Sequence, residues 1–219
     1  MEDDKIIKII LLGESGVGKT NLIQVALGNP FQKETDSTLI SSYLESEIII
    51  QNKKYMYALW DTAGQEVYRS LNKSFIKGSK IVILVFAINN RKSFEEINFW
   101  INCVKDNLEE NKYIMALVAN KSDLIEEQEV PDEEIMKKGE ELNIKTKITS
   151  AAEDSVGFKM FLEELLKDLV KSGIPLDRRQ TFALEEEIDE GNDEDKNNNN
   201  ENENNKNTGD KGKKKKKCC

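Results

Sequence analysis

An apolar run of strand type, Ile6 to Leu12, passes directly into Gly13-Glu14-Ser15-Gly16-Val17-Gly18-Lys19-Thr20, after which Asn21 to Leu27 continues into a helix. A buried strand that turns into a helix through a glycine-rich loop ending Gly-Lys-Thr constrains the fold more than any other stretch of this chain. Its glycines let the backbone wrap closely around a ligand, and the loop N–H groups converge with the helix N-terminus on one anion site. Nucleotide phosphates fit such a site. Lys19 would supply a point charge to the β- and γ-phosphates, and the Thr20 hydroxyl can ligate Mg²⁺. All of Gly13, Glu14, Ser15, Gly16, Val17, Gly18, Lys19 and Thr20 therefore belong to the candidate phosphate cradle.

Beyond this unit, strand and helix patterns alternate. Asn29 to Ser37 is polar, and Pro30 forbids simple helix continuation, so the segment reads as a loop. Ile48 to Ile50 and Tyr55 to Trp60 read as an antiparallel pair joined by a hairpin connection at Asn52-Lys53. Lys80 to Ile88 and Tyr113 to Ala119 are continuous apolar runs, as expected for central parallel strands covered on both faces. Between them, Ser93 and Glu96 suggest a capping box that opens a helix carrying Phe94, Ile97, Trp100, Ile101 and Val104. Asp132 to Leu142 and Ser155 to Val170 give two further helices, the second with Phe158, Phe161, Leu162, Leu165, Leu166 and Leu169 on one face. The alternation implies a doubly wound α/β fold with ligands bound beyond the carboxyl ends of the strands.

Bulk properties narrow the chemistry. The 219 residues suffice for one α/β domain plus an extension, expected as a domain over 1–176 and a disordered tail over 177–219, where apolar residues thin into Asn, Glu, Asp and Lys. The net charge of −9 argues against nucleic acid as a partner. No run is long and apolar enough to cross a bilayer, and Met1-Glu2-Asp3-Asp4 is acidic where a signal peptide would be basic, so a cytosolic start is expected. With 3 cysteines, Cys103, Cys218 and Cys219, there is neither a disulfide framework nor a zinc-type spacing. The absence of histidine removes imidazole acid/base catalysis, serine-type triads and His-ligated metals together.

A phosphate loop alone fits ATPases, kinases and GTPases, so the base and the hydrolytic machinery must be read elsewhere. Asp61-Thr62-Ala63-Gly64-Gln65 follows the strand ending at Trp60. It puts a carboxylate near Mg²⁺, a glycine N–H (Gly64) where a γ-phosphate can be felt, and Gln65 where it can orient a water. Asn120-Lys121-Ser122-Asp123 follows another strand, and a carboxylate there can accept from guanine N1–H and the exocyclic amine, a donor pair that adenine lacks. A carboxylate left unpaired costs a few kcal/mol, which is how such sites reject analogues. Standing alone, Asn-Lys-x-Asp could be a surface loop. Thr149-Ser150-Ala151, after a further strand, supplies a loop whose backbone would meet guanine O6.

Over about residues 5 to 172 these motifs resemble the Ras superfamily of small GTPases and, within it, the Rab family. The resemblance implies a P-loop NTPase fold, the G domain: a mostly parallel sheet of roughly six strands with one antiparallel strand, flanked by about five helices. It implies a GTP/GDP-cycling switch that hydrolyses GTP with Mg²⁺ and recruits effectors to membranes in vesicle trafficking. In that frame Phe31 flanks the guanine, Thr38 ligates Mg²⁺ and touches the γ-phosphate, and Ser150, Ala151 and Ala152 line the base. Lys19, Thr38 and Gln65 carry catalysis, and Thr20, Thr38 and Asp61 hold the metal. The order/disorder switch falls at Phe31 to Tyr43 and Gly64 to Lys77. No arginine is an evident finger, so fast hydrolysis implies a GTPase-activating protein. A guanine-nucleotide exchange factor, a GDP-dissociation inhibitor or escort protein, and effectors are the other implied partners of a monomer. Tyr43, Trp60 and Phe75 match the surface aromatic triad that Rab proteins show to effectors.

Two departures stand out. Leu39-Ile40-Ser41-Ser42-Tyr43 replaces the usual Ile-Gly-Val-Asp-Phe after Thr38, and Ala152 replaces a lysine that packs on the base. The first departure bears on partner choice and leaves the nucleotide chemistry alone; from Ala152 lower affinity or faster exchange is expected, and a non-cycling nucleotide-bound membrane adaptor is the alternative function. At the C-terminus, Cys218-Cys219 follows Lys213 to Lys217. By position alone these are two thiols behind a solubilising run; the resemblance makes them two geranylgeranylation sites, and two lipids are what stable anchoring needs. The lysines would add up to ~1 kcal/mol each on an anionic leaflet. The expected location is the cytoplasmic face of an endomembrane or the plasma membrane, cycling with the cytosol.

Overall fold

The computed structural model describes residues 5–33, 42–61 and 75–176. The chain divides into two units, Met1–Thr181 and Phe182–Cys219, and every described residue lies in the first. Its strands are β1 (Ile6–Leu12), β2 (Ser42–Ile50), β3 (Lys53–Asp61), β4 (Ile81–Ala87), β5 (Ile114–Asn120) and β6 (Lys145–Ile148). Between and after them run α1 (Lys19–Ala26), α2 (Arg91–Glu95), α3 (Ile97–Asn107), α4 (Asp132–Leu142) and α5 (Ser155–Ser172).

The sheet has six strands in the order β2-β3-β1-β4-β5-β6. Only β2 runs antiparallel, against β3; β1 pairs in parallel with β3 and β4, and β4-β5-β6 continue in parallel. This is the doubly wound, mostly parallel sheet expected from the alternation. From β1 the chain departs one way to β3 and the other way to β4, so the crevice at the carboxyl end of β1 is the switch point where α/β sheets bind ligands.

Period-two alternation sorts each central strand into two cores. Ile7, Ile9 and Leu11 of β1 and Ile81, Ile83 and Val85 of β4 join Leu22 and Ile23 of α1 and Phe158, Leu162 and Leu165 of α5 on one face. Ile10, Leu12, Val82, Leu84 and Phe86 join Trp100, Ile101 and Val104 of α3 and Ile135 of α4 on the other. Each such fully buried Ile, Leu or Phe contributes about 1.5–3 kcal/mol relative to exposure. The sheet is therefore a stiff floor beneath the loops at its carboxyl edge.

Three local expectations are corrected. The hairpin connection is Gln51-Asn52, one residue earlier than Asn52-Lys53, because Ile50 pairs with Lys53. Both connecting residues are left-handed, at φ 52° and 60°, as a two-residue turn matched to strand twist requires. The helix after β4 is opened by Asn90 rather than by a Ser93/Glu96 box: the Asn90 side chain accepts from Ser93 N–H at 3.0 Å. Ser93 is fully buried, its hydroxyl accepting from Ala87 N–H at 3.1 Å and donating to Asn90 O at 2.7 Å, and the helix is interrupted at Glu96. The first helix starts at Lys19, inside the glycine-rich motif, because Gly18 at φ 92° forms its cap.

The expected surface triad is also altered. Tyr43, 47% exposed, stacks on Trp60 at 5.0 Å, and Phe75 lies tilted at 6.1 Å, so the three rings do form one group. Trp60, however, is its buried middle at 4% exposure, because its position on β3 faces the second core. The Lys8 ammonium covers the Trp60 ring 4.3 Å from its centroid and donates to Lys77 O at 3.1 Å.

Candidate nucleotide site

The loop between β1 and α1 is shaped by glycine where no other residue fits. A Cβ on Gly13 would lie 2.0 Å from the Val85 carbonyl oxygen of β4, so the loop leaves the sheet in direct contact with a neighbouring backbone. Gly16 and Gly18 are left-handed at φ 75° and 92°, which turns successive N–H groups to the same side, the geometry of an anion nest. Ser15 and Gly16 are exposed at the tip, Glu14 is half-buried, and Val17 plugs the loop into the core at 1% exposure.

Lys19 is buried beneath this loop and donates to Gly13 O and Glu14 O, each at 2.9 Å. Burial pulls its pKa down to about 8, opposed by the charges of Asp61 and Glu14. The ammonium is thus held by carbonyls at the cradle, with a desolvation cost that a bound polyanion would relieve. Thr20 follows in the first turn of α1, and Asp61 is buried at the end of β3, within electrostatic reach of Lys19.

At the ends of β5 and β6 the second half of the site is built by side chains that bond to one another. Asn120, 1% exposed, donates from Nδ2 to Val17 O at 2.8 Å and accepts at Oδ1 from Ala151 N–H at 3.1 Å. Both ends of its amide are committed within the protein. The residue is a strut between the phosphate loop and the loop after β6, packed so tightly that a Cβ on Gly18 would meet its Nδ2 at 2.4 Å. Ser150, also buried, donates to Asp123 Oδ1 at 2.5 Å while accepting from the N–H groups of Ala152 and Glu153 at 3.1 Å. The Asp123 carboxylate is therefore aimed before any ligand arrives. Lys121 is left-handed at φ 65°, turning the chain sharply between the strut and the carboxylate, and Ser122 N–H donates to Thr149 O at 3.1 Å.

Phe31 is 40% exposed, in the loop after α1, and Ala152 is exposed beside the loop after β6. The structure therefore brings the phosphate loop, Asn120, Lys121, Asp123, Ser150 and Ala151 into one bonded assembly. Thr38, Thr62, Ala63, Gly64 and Gln65 lie outside the described residues, as do Lys213 to Lys217, Cys218 and Cys219.

Three contributors escaped sequence reasoning. Asp154 caps α5, accepting from Gly157 N–H at 2.7 Å and from the Thr149 hydroxyl at 3.2 Å, and so fixes the loop that holds Ser150 and Ala151. An acidic residue just ahead of an apolar helical run was the available signal. Asn21, in the first turn of α1, bonds to the backbone of Gln32. Lys8, the one charge in the β1 run, covers Trp60.

A glycine cradle at the carboxyl end of a central parallel strand, tied through Asn120 to the loop whose Ser150 holds the Asp123 carboxylate, defines a P-loop nucleotide-binding domain. The Ras family model matches residues 8–171. The chain is 34% identical over 169 residues to the GTP-binding protein ypt3 of Schizosaccharomyces pombe, covering 76% of this chain and 78% of that protein. It is 34% identical over 171 residues to the Ras-related protein rab-11.1 of Caenorhabditis elegans, covering 78% and 80%. To the Ras-related protein RabJ of Dictyostelium discoideum it is 38% identical over 156 residues, covering 71% and 60%. The chain belongs to the Ras family, as a small GTPase of Rab type. It binds GTP and GDP, hydrolyses GTP, and serves vesicle trafficking through regulators and effectors. Among the described residues no helix is long and apolar enough to cross a membrane.

Proposed function

We propose that guanine nucleotide lies across the crevice at the end of β1, with its phosphates in the loop Gly13 to Thr20 and its base against Asp123, Lys121, Ser150, Ala151 and Ala152, flanked by Phe31. The observation that carries this reading is the Asn120 strut, which makes the phosphate loop and the base-side loop one rigid unit. Rigidity matters because a site held in place before binding loses less entropy when the nucleotide arrives. Ser150 holds Asp123 as an acceptor, which suits the paired donors of guanine and leaves an unpaired carboxylate facing adenine.

Hydrolysis is in-line attack of a water on the γ-phosphorus, breaking the bond to the β–γ bridging oxygen and releasing GDP and phosphate. Gln65 orients the water, and Lys19 with the loop amides stabilises charge on the β–γ bridge. A divalent ion suits the donors present. Among the described residues no cluster of three or more His, Cys, Asp or Glu could hold one alone. Thr20 and Asp61 offer the hard oxygens that Mg²⁺ combines with nucleotide phosphates. Thr20, Thr38 and, through a water, Asp61 would hold Mg²⁺, which when bound supplies charge neutralisation at the phosphates. The domain over 1–176 performs this chemistry, and the tail over 177–219 tethers it, through Lys213 to Lys217 and prenylated Cys218 and Cys219, to a cytoplasmic membrane face.

Single-turnover hydrolysis tests the catalytic assignment. Gln65→Leu should abolish the step with nucleotide still bound; an unchanged rate would remove Gln65 from the mechanism. Asp123→Asn should shift preference from guanine toward xanthine nucleotides, and an unaltered guanine preference would refute the base assignment. Removing Cys218 and Cys219 should release the protein from membranes in its own cells.

A further inference from the structure

Asn21 is the third residue of α1, and its side chain is spent outside the helix. Leu22, Ile23, Val25 and Ala26 around it are core. Here the amide is buried, at 7% exposure, and both of its ends are used on one residue of the next segment. Nδ2 donates to Gln32 O at 2.9 Å, and Oδ1 accepts from Gln32 N–H at 3.1 Å. This reciprocal pair imitates the exchange of two bonds between paired residues of an antiparallel ladder.

A second anchor lies at the start of the same segment. Asn29 N–H donates to Gln24 O at 2.9 Å, and Asn29 Nδ2 donates to Gln24 Oε1 at 2.7 Å. Between the anchors stand Pro30, whose ring fixes its own φ, and Phe31, whose ring is 40% exposed. An exposed ring on a loop is ordered by its backbone or by a ligand. Both anchors belong to α1, the helix that also carries Lys19 and Thr20.

We infer that Asn21 is a positioning residue for the nucleotide: by clamping Gln32 it holds the adjacent Phe31 ring at the guanine face and so slows nucleotide release. The inference rests on the reading of Phe31 as the aromatic that flanks the base. One helix then fixes the contacts at both ends of the ligand, phosphate through Lys19 and Thr20 and base through the Asn21 clamp. Pre-ordering Phe31 removes an entropy loss that would otherwise accompany each binding event.

Release of a fluorescent GDP analogue from the full chain, chased with excess GDP in the presence of Mg²⁺, tests this. Asn21→Ala should accelerate release roughly 5- to 150-fold, the factor corresponding to loss of a pair of net hydrogen bonds. Asn21→Asp keeps the acceptor for Gln32 N–H and loses the donor, so its rate should fall between wild type and Asn21→Ala; it also serves if the alanine variant fails to fold. Phe31→Ala should accelerate release as well. In the Phe31→Ala background, Asn21→Ala should add less than about twofold, because the two residues act as one device. Multiplicative effects would mean that Asn21 acts through α1 and the phosphate loop, overturning the inference while leaving Phe31 in its role. Acceleration by Phe31→Ala with no effect of either Asn21 variant would overturn it too. No effect of Phe31→Ala would remove the base-flanking reading itself.

Discussion

Asn120→Ala is the substitution that most directly tests whether the two halves of the site are one unit. It deletes a donor to Val17 O and an acceptor from Ala151 N–H, made at 2.8 and 3.1 Å in a setting 1% exposed. Each buried backbone group left unsatisfied costs about 1–3 kcal/mol, so the expected loss is about 2–6 kcal/mol. Against a domain stability of about 5–15 kcal/mol, that is a large fraction. The assay is urea unfolding at a series of GDP concentrations. Well above Kd, stability rises by RT per unit of ln[GDP] for both proteins, so the lines are parallel. Their offset contains lost fold stability and lost affinity, and a separate Kd measurement subtracts the second. A remaining offset under about 1 kcal/mol, close to the effect of an ordinary surface change, would refute the strut. Asn120→Asp sharpens the test. Its carboxylate still accepts from Ala151 N–H but sets an oxygen against Val17 O, so it should not recover wild-type stability.

Gly13→Ala forces a methyl to within 2.0 Å of the Val85 carbonyl oxygen, a backbone atom of the central sheet that cannot swing aside. Overpacking of this kind costs about 1–3 kcal/mol or more, so the thermal midpoint should drop by roughly 2–12 °C; an unchanged midpoint would show that the loop can shift. Asp154→Ala removes the cap of α5 and the partner of Thr149, for a loss of about 0.5–2 kcal/mol by denaturant unfolding and a weaker grip on guanine nucleotide. Unaltered affinity would separate the cap from the site. Burial lowers the pKa of Lys8 and of Lys19 from 10.5 to about 8. Between those values the unfolded chain holds more protons than the folded one, so stability should rise with pH across that window, and the desolvation penalty is fully present below it. Lys8→Met should flatten part of the rise, and an equal slope in both proteins would mean that Lys8 is not desolvated.

Much of this protein is written locally. Apart from Lys8 and the terminal Asn120, the runs Ile6 to Leu12, Ile81 to Ala87 and Ile114 to Asn120 are apolar on both faces, as strands of a parallel sheet covered on both sides are. The phosphate loop, Asn120 to Asp123, and Thr149 to Ala151 could likewise be read as segments, because the chemistry of each is carried by neighbouring residues. Local pattern misled where a capping role was shared out between candidates: Ser93 has the spacing of a cap, but full burial turns its hydroxyl to Ala87 and leaves the role to Asn90. Trp60 sits where a surface ring is expected, and the sheet turns it inward beneath Lys8.

By itself, then, the sequence determined where the strands and helices run, to within a residue or two, and which motifs face the crevice. What only the tertiary structure decided is which of these groups hold one another. Asn120 reads as one letter of a base-recognition motif, but the fold makes it the strut to Val17, 103 residues away. Asn21 reads as nothing, and the fold makes it a clamp on Gln32. Periodicity and spacing report interactions within a few residues, where geometry is set by the helix or strand itself. Hydrogen bonds between distant segments depend on how those elements are stacked, and no local pattern records that.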